Sequence, residues 1–417
     1  MNRDFWSFWA RASDVLASVL SLLLFFWNVA ANMWAVVSFY QEQRYFSMGL
    51  FIFLILSSSM LLQTFSWLWY MEPSDKMDSK EERFIDLVHV LQLGVFLRCC
   101  RMLKLSVKIF EQKSAFSSSS SADILSYDLS TLGLFKAFSE SAPQIVLMIT
   151  NIIQVQDFQL FTVIKIISSL SSLSYTVLSY HRSMCTFLTD KEMMGWSSSV
   201  LYFLWNLFLI GPRVLCVSLF ASALPCYFAA HFLSLWMLLI LWAWWQKTDF
   251  MDSKAGEWLY RATVGLIWYF IWFNVTSKKN NVATRQTRRK TIIYHVVMGS
   301  DTMLLLGLWW WWRSVESARL DPLPINPYLL IAVLVTIYIT GILLRLLYYW
   351  KFHPKQTDLQ MDEKDEMKPQ EQCHDTVDSR ANPETEPESV IIVLSQSQKT
   401  LTGIQKRMRN MAENFYC

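Results

Sequence analysis

The chain has 417 residues, of which 53% are hydrophobic and 15% aromatic, with only 17% charged. That balance excludes an ordinary soluble domain, and repeated apolar runs of about 20 residues indicate a polytopic helical membrane protein. The net charge of +3 gives no bulk drive toward nucleic acid, so where the charges lie matters more than their sum.

Ten apolar segments follow one another at roughly 14–40, 45–70, 85–104, 129–153, 158–180, 196–222, 226–246, 257–275, 292–312 and 327–349. The first carries Asp14, Ser18, Ser21, Asn28 and Asn32 on one helical face. Ser57-Ser58-Ser59 interrupts the second, which predicts a broken helix there. Residues 71–83 form a loop with more acids than bases, and Met77-Asp78-Ser79-Lys80 leads into the third segment. Lys104, Lys108 and Lys113 follow that segment, and Ser117–Ala122 then reads as a flexible linker.

The fourth segment contains Leu134–Ile153, apolar enough for a bilayer yet carrying Lys136, Glu140 and Gln144. Their spacing of four puts them on one helical face, and Pro143 frees a backbone carbonyl nearby. A charge at membrane depth costs a few kcal/mol or more, so this face meets protein or a water-filled path. A Lys–Glu pair that only locks helices together and a polar track through the membrane both fit. The fifth segment has a stripe of Lys165, Ser169, Ser172 and Ser179 with Arg182 just beyond, and the sixth has Asn206 and Arg213 seven apart. Ser stripes alone are usually helix-packing contacts; ionisable residues of both signs on several helices are harder to explain that way. Paired charges of this kind suit a zwitterionic or anionic headgroup leaving water, and they suit a small polar solute equally.

Pro225 opens the seventh segment, which predicts a second broken helix. Met251-Asp252-Ser253-Lys254 then repeats the tetrad at 77–80, and Trp205-Asn206 repeats Trp27-Asn28. These matches divide the membrane region into two five-helix repeats, 1–180 and 181–350. Residues 276–290 hold Lys278, Lys279, Arg285, Arg288, Arg289 and Lys290 with no acid, and so belong in the cytoplasm. If segments two and seven are re-entrant, the acidic loop lies outside and both basic loops inside. The expected fold is an all-α polytopic membrane protein with eight transmembrane helices, two re-entrant partial helices and cytoplasmic termini. Trp242, Trp244, Trp245 and Trp309–Trp312 then form outer-interface belts, and the Asn274-Val275-Thr276 triplet faces the cytoplasm unglycosylated.

Residues 351–417 change character. An acidic polar stretch with the composition of a disordered linker precedes Leu401, Ile404, Met408, Met411 and Phe415, apolar positions at helical spacing. Such a helix docks on the membrane surface or on the cytoplasmic face of the bundle. Between the two lies Asp375-Thr376-Val377-Asp378 followed by Ser379, the pattern an executioner caspase cuts, in a segment open to proteases. The six His show no HExxH or metal-site spacing, and there is no P-loop or Gly-rich nucleotide fingerprint. The seven Cys have no CxxC or framework spacing. An enzyme, a metal site and a cofactor are therefore not expected.

The chain resembles the XK-related proteins, most closely their caspase-activated phospholipid scramblase branch. The resemblance rests on HVLQLGVFLRC (89–99), ESAPQ (140–144), SYHRS (179–183), YFLWNLFLIGPRVL (202–215), QKTDFMDSKAGEWLYRATVGLIWYFIWFNV (246–275) and LRLLYYWKFHP (344–354). It implies a plasma-membrane protein that scrambles lipids without ATP or Ca²⁺ and exposes phosphatidylserine once caspases remove the tail. It implies, for some members, a single-span immunoglobulin-type chaperone as partner. Asp14, Glu140, Arg182 and Arg213 match the family's intramembrane charges. Asn28 and Asn32 stand where relatives have Asp, Lys136 where they have Glu, and Ser179 where they have Asp, so the track here is less acidic. A solute transporter or channel, and a non-transporting subunit that stabilises a membrane partner, are the competing readings.

Overall fold

A computed structural model describes residues 2–71, 79–111, 116–155, 160–187, 196–248, 250–251, 253–275, 283–316 and 326–352. The elements are α1 (Asn2–Gln41), α2 (Tyr45–Met71), α3 (Ser79–Val90), α4 (Gly94–Glu111), α5 (Phe116–Lys136), a π turn (Ala137–Ser141), α6 (Ala142–Val155), α7 (Leu160–Phe187), α8 (Trp196–Ala223), α9 (Pro225–Trp245), α10 (Lys254–Phe270), α11 (Ala283–Val315) and α12 (Pro327–Phe352). No strand occurs among the described residues. Six helices are long and apolar enough to cross a membrane: α1, α2, α8, α9, α11 and α12.

The bundle is built around α8. Its apolar window is 56% buried, against 6–28% for the other five, and it packs on α6, α7, α11 and α12. The π turn is a second hub, touching α2, α7 and α10, with Phe138 against Phe270. Pro143 has no N–H to give the carbonyl four residues back, and the backbone widens just ahead of it, with the Ala142 N–H reaching Ala137 O. The outward faces carry large exposed apolar residues such as Leu23, Trp34, Phe53, Leu241 and Leu346, as lipid contact requires.

The helix breaks are not where the sequence places them. α2 runs unbroken through Ser57–Ser59, whose hydroxyls donate to Leu54 O, pair with Ser139, and donate to Gln92. Pro225 sits in the first turn of α9, where a missing N–H costs nothing. The third segment breaks instead, between α3 and α4. Gln92 takes a left-handed φ of 60° there, and Gln63 ties the turn by donating to Gln92 O and accepting from the Gly94 N–H. A Cβ on Gly94 would lie 2.4 Å from the His89 ring, so only glycine fits. The eighth segment also stops short: α10 ends at Phe270, and Ile271 is extended. Its last carbonyls are taken by side chains, Tyr294 Oη donating to Trp268 O at 2.6 Å and Arg213 Nε to Tyr269 O at 3.1 Å.

Two further expectations are corrected. Ser117–Ala122 lies within α5 rather than in a linker. The Trp clusters lie at opposite ends of the bundle. Trp242 stacks on Tyr294 near the start of α11, where Lys290 donates to Gln246, whereas Trp309 packs with Leu219 and Leu334 about 22 Å further along α11. One interface cannot hold both.

Candidate functional site: paired charges between the helices

Residues from α1 and α5 meet at the π turn. Lys136 Nζ donates to Asn28 Oδ1 at 2.6 Å and lies 4.0 Å from Glu140 Oε1, while Asn32 Nδ2 donates to the same carboxylate oxygen at 2.8 Å. Asn28 and Asn32, one turn apart, thus face Lys136 and Glu140, also one turn apart. The Glu140 side chain is 4% exposed and the Lys136 side chain 28%, so the cluster is sealed at the acid and open at the amine. It sits at the flank of the bundle, where α1 is covered on one side only. Gln144 does not join it: the π turn inserts an extra residue and rotates Gln144 away, and its buried Nε2 has no partner among the described residues.

Arg213 lies in a different place. It is 2% exposed and pairs with Asp301 Oδ2 at 2.6 Å, and Asp301 Oδ1 is 2.8 Å from His231 Nε2. Arg213 also donates to Thr302 Oγ1 at 3.1 Å and stacks over the Tyr269 ring. One guanidinium therefore ties together α8, α9, α10 and α11. A third pair, Arg98 with Asp128 at 2.7 Å, joins α4 to α5, with Ser66 of α2 accepting from Arg98 through both its hydroxyl and its carbonyl. Each charge is offset by an opposite charge and by fixed dipoles, the condition for keeping it in low dielectric.

The remaining sequence candidates are dispersed. Asn206 is fully buried and donates to Tyr202 O in its own helix, and Arg182 is exposed on α7. The side chains of Asp14 and Lys165, and the tail residues Asp375, Asp378, Ser379, Leu401, Ile404, Met408, Met411 and Phe415, lie outside the described residues. Sequence reasoning missed Asp301, His231, Arg98 and Asp128. The signal for Asp301 and Arg98 was present, since each is an ionisable residue inside an apolar segment.

Beside Arg213, where α10 gives way to extended chain, is a cavity lined by Phe270, Ile271, Tyr294, His295, Thr302 and Tyr338 among others. It offers about 20 Å³ to the centres of water molecules, room for a water and not for a headgroup or solute. No group of His, Cys, Asp and Glu among the described residues could hold a metal ion.

The model of the XK-related family, described as XK-related protein, matches residues 16–354. An XK-related protein 8 from Tetraodon nigroviridis is 39% identical over 354 residues, covering 82% of this chain and 83% of that one. The XK-related protein 8 of Gasterosteus aculeatus is 38% identical over 357 residues, covering 82% and 84%. That of Pan troglodytes is 40% identical over 270 residues, covering 64% and 68%. The family match takes in every described helix except the first turns of α1 and ends where the tail begins. The chain belongs to the XK-related family.

Proposed function

We propose that this protein is a phospholipid scramblase of the plasma membrane, moving lipids such as phosphatidylserine between leaflets without ATP or Ca²⁺. The observation that carries the reading is the Asn28–Asn32–Lys136–Glu140 seam at the flank of the bundle, sealed at its acid and partly open at its amine. A headgroup crossing beside a flank needs polar partners at depth while its tails stay in lipid. A small polar solute, by contrast, needs its partners around an enclosed path, and this seam lies at the flank of α1, which is covered on one side only. The seam therefore favours lipid over the transporter or channel reading.

The revised breaks support eight spans: α1, α2, α5–α6, α7, α8, α9, α11 and α12. α3–α4 and α10 are then the partial helices, both entering from the cytoplasmic side. Both basic loops and both termini then lie in the cytoplasm, as the charge bias requires. The 71–83 loop moves inside with them, because the spans preceding it are complete.

The tail, residues 351–417, acts as a clamp. Its partners are an executioner caspase and, by the family resemblance, a single-span immunoglobulin-type chaperone. Cleavage after Asp378 removes Ser379–Cys417 in one piece. While tethered, the Leu401–Phe415 helix has a high effective concentration at its docking site; once cut it binds only from dilute solution and leaves. Asp365 is a poorer site, because Glu366 follows it where caspases favour a small residue. In apoptotic cells lacking other scramblases, Asp378→Ala blocks both cleavage and phosphatidylserine exposure, whereas Asp365→Ala leaves both intact. Exposure by the Asp378→Ala protein would refute the clamp at this site.

A further inference from the structure

Four arginines reach deep into the described bundle, and three of them face a carboxylate: Arg98 meets Asp128, Arg213 meets Asp301 and Arg261 meets Glu257. Arg345 of α12 does not. It is 4% exposed, and its hydrogen bonding among the described residues is limited to Nη1 against His295 Nε2 of α11. Its Nε and Nη2 donors have no partner among the described residues, and none of their carboxylates lies within ion-pair distance. The guanidinium lies against aromatic rings instead, 4.9 Å from the centroid of Trp205 and 5.6 Å from that of Tyr349. Trp205 is itself 4% exposed, and its indole N–H is buried with no acceptor among the described residues. Cation–π contact offsets only part of the cost of a buried charge. Two sets of donors, one of them cationic, remain beside each other with no negative group among the described residues to receive.

The location identifies what is missing. Arg345 is six residues from the end of its span at Lys351, and His295 six residues from the end of its span at Arg289. Both therefore lie about 9 Å inside the same end of the bundle, a few Å beneath the glycerol groups of that leaflet when the two spans are centred in the bilayer. That end also carries Lys351 and the basic first turns of α11, with Arg285, Arg288, Arg289 and Lys290, a field that concentrates anions. Around the site, Leu343, Leu346 and Trp350 of α12 are exposed on the outer face, where lipid meets the bundle.

We propose that Arg345, Trp205 and His295 form a phosphate-binding site for a phospholipid of the leaflet at the basic end of the bundle. The planar guanidinium fork receives two phosphate oxygens through Nε and Nη2, and the unpartnered Trp205 N–H supplies a third donor. His295 accepts from Nη1 and so fixes the fork. The site is separate from the Lys136 seam and does not depend on the scramblase reading: it is a resident lipid site whatever the protein transports.

The test uses the purified full-length protein in detergent, with thermal unfolding as readout. The probes are dioctanoyl phosphatidic acid, dioctanoylglycerol without the phosphate, and inorganic phosphate. Phosphatidic acid is expected to raise the wild-type melting temperature and dioctanoylglycerol to leave it unchanged. A rise with inorganic phosphate at equal concentration would assign the site to the free ion and overturn the lipid. Arg345→Met is expected to melt no lower than wild type in lipid-free detergent, because an uncompensated charge has gone, and to lose the response. Lys351→Gln, an exposed charge at the same end, is expected to keep it. No wild-type response to phosphatidic acid, an undiminished response in Arg345→Met, or an equal loss in Lys351→Gln would each refute the proposal. If Arg345→Met does not fold, Arg345→Lys decides: it keeps the charge and loses the fork, so its affinity for phosphatidic acid falls by roughly tenfold. Unchanged affinity in that variant refutes the site. None of these readings involves scrambling, so failure here and failure of the transport function remain distinguishable.

Discussion

Asp301→Ala destabilises the purified protein by about 3–5 kcal/mol, the usual cost of stranding one member of a buried ion pair. Asp301 answers Arg213 with one oxygen and His231 with the other, so its loss strands a guanidinium that is 2% exposed. The damage spreads, because Arg213 also caps the end of α10 through Tyr269 O and holds Thr302 of α11. The double variant Arg213→Met/Asp301→Leu loses much less than the sum of the two single changes, since it leaves no charge unpaired. His231→Gln costs about 1 kcal/mol, because a donor to Asp301 is retained. Thermal unfolding of these proteins measures the differences. Additive losses would show that the pair is not coupled and that Arg213 is held by its backbone and Thr302 contacts alone.

The second large effect separates packing from transport at the flank seam. Lys136→Met leaves Glu140, 4% exposed, with Asn32 as its one remaining partner there, and destabilises by about 1–3 kcal/mol. Lys136→Met/Glu140→Gln removes the stranded charge, and the introduced amide oxygen can still accept from Asn32, so stability returns. If the partly exposed amine receives the phosphate of a passing headgroup, scrambling does not return with it. Specific activity of the stable double variant in liposomes is expected to fall about tenfold or more, a loss of some 1.4 kcal/mol of barrier stabilisation. Full specific activity in that protein would reduce the seam to a helix lock.

Much of this was legible in the sequence, for identifiable reasons. The apolar runs located the long helices because a bilayer imposes length and hydrophobicity together. Asn28 with Asn32, and Lys136 with Glu140, could each be placed on one helical face because each couple has a spacing of four, a local property of helices, whereas the meeting of the two couples, 108 positions apart, comes from the tertiary fold. Asp301 could not be matched to Arg213, since 88 positions separate 213 from 301 and only the tertiary fold brings α11 to α8. Gln144 was misplaced because the π turn breaks the spacing rule at Ala137–Ser141, even though Pro143 signalled an irregularity there. The helix breaks fall elsewhere because a helix satisfies both Ser57–Ser59 and Pro225 at the positions they occupy. The actual break at Gln92 depends on a contact from Gln63, a residue of another helix. Ser253 shows a blander side of the repeated tetrad at 251–254: its hydroxyl caps α10 by accepting from the Gly256 N–H.

The most direct test of the proposed function is a lipid-scrambling measurement on purified protein. Full-length protein and protein ending at Asp378 are reconstituted at equal density into liposomes carrying fluorescent phosphatidylserine in both leaflets, without ATP or Ca²⁺. Dithionite then bleaches the accessible label. Full-length vesicles are expected to plateau near half bleaching, as empty vesicles do. Vesicles with the truncated protein are expected to bleach almost fully, while a trapped soluble dye stays unbleached. A half-bleached plateau with correctly folded, truncated protein would contradict scrambling as its function, and bleaching of the trapped dye would point to a channel.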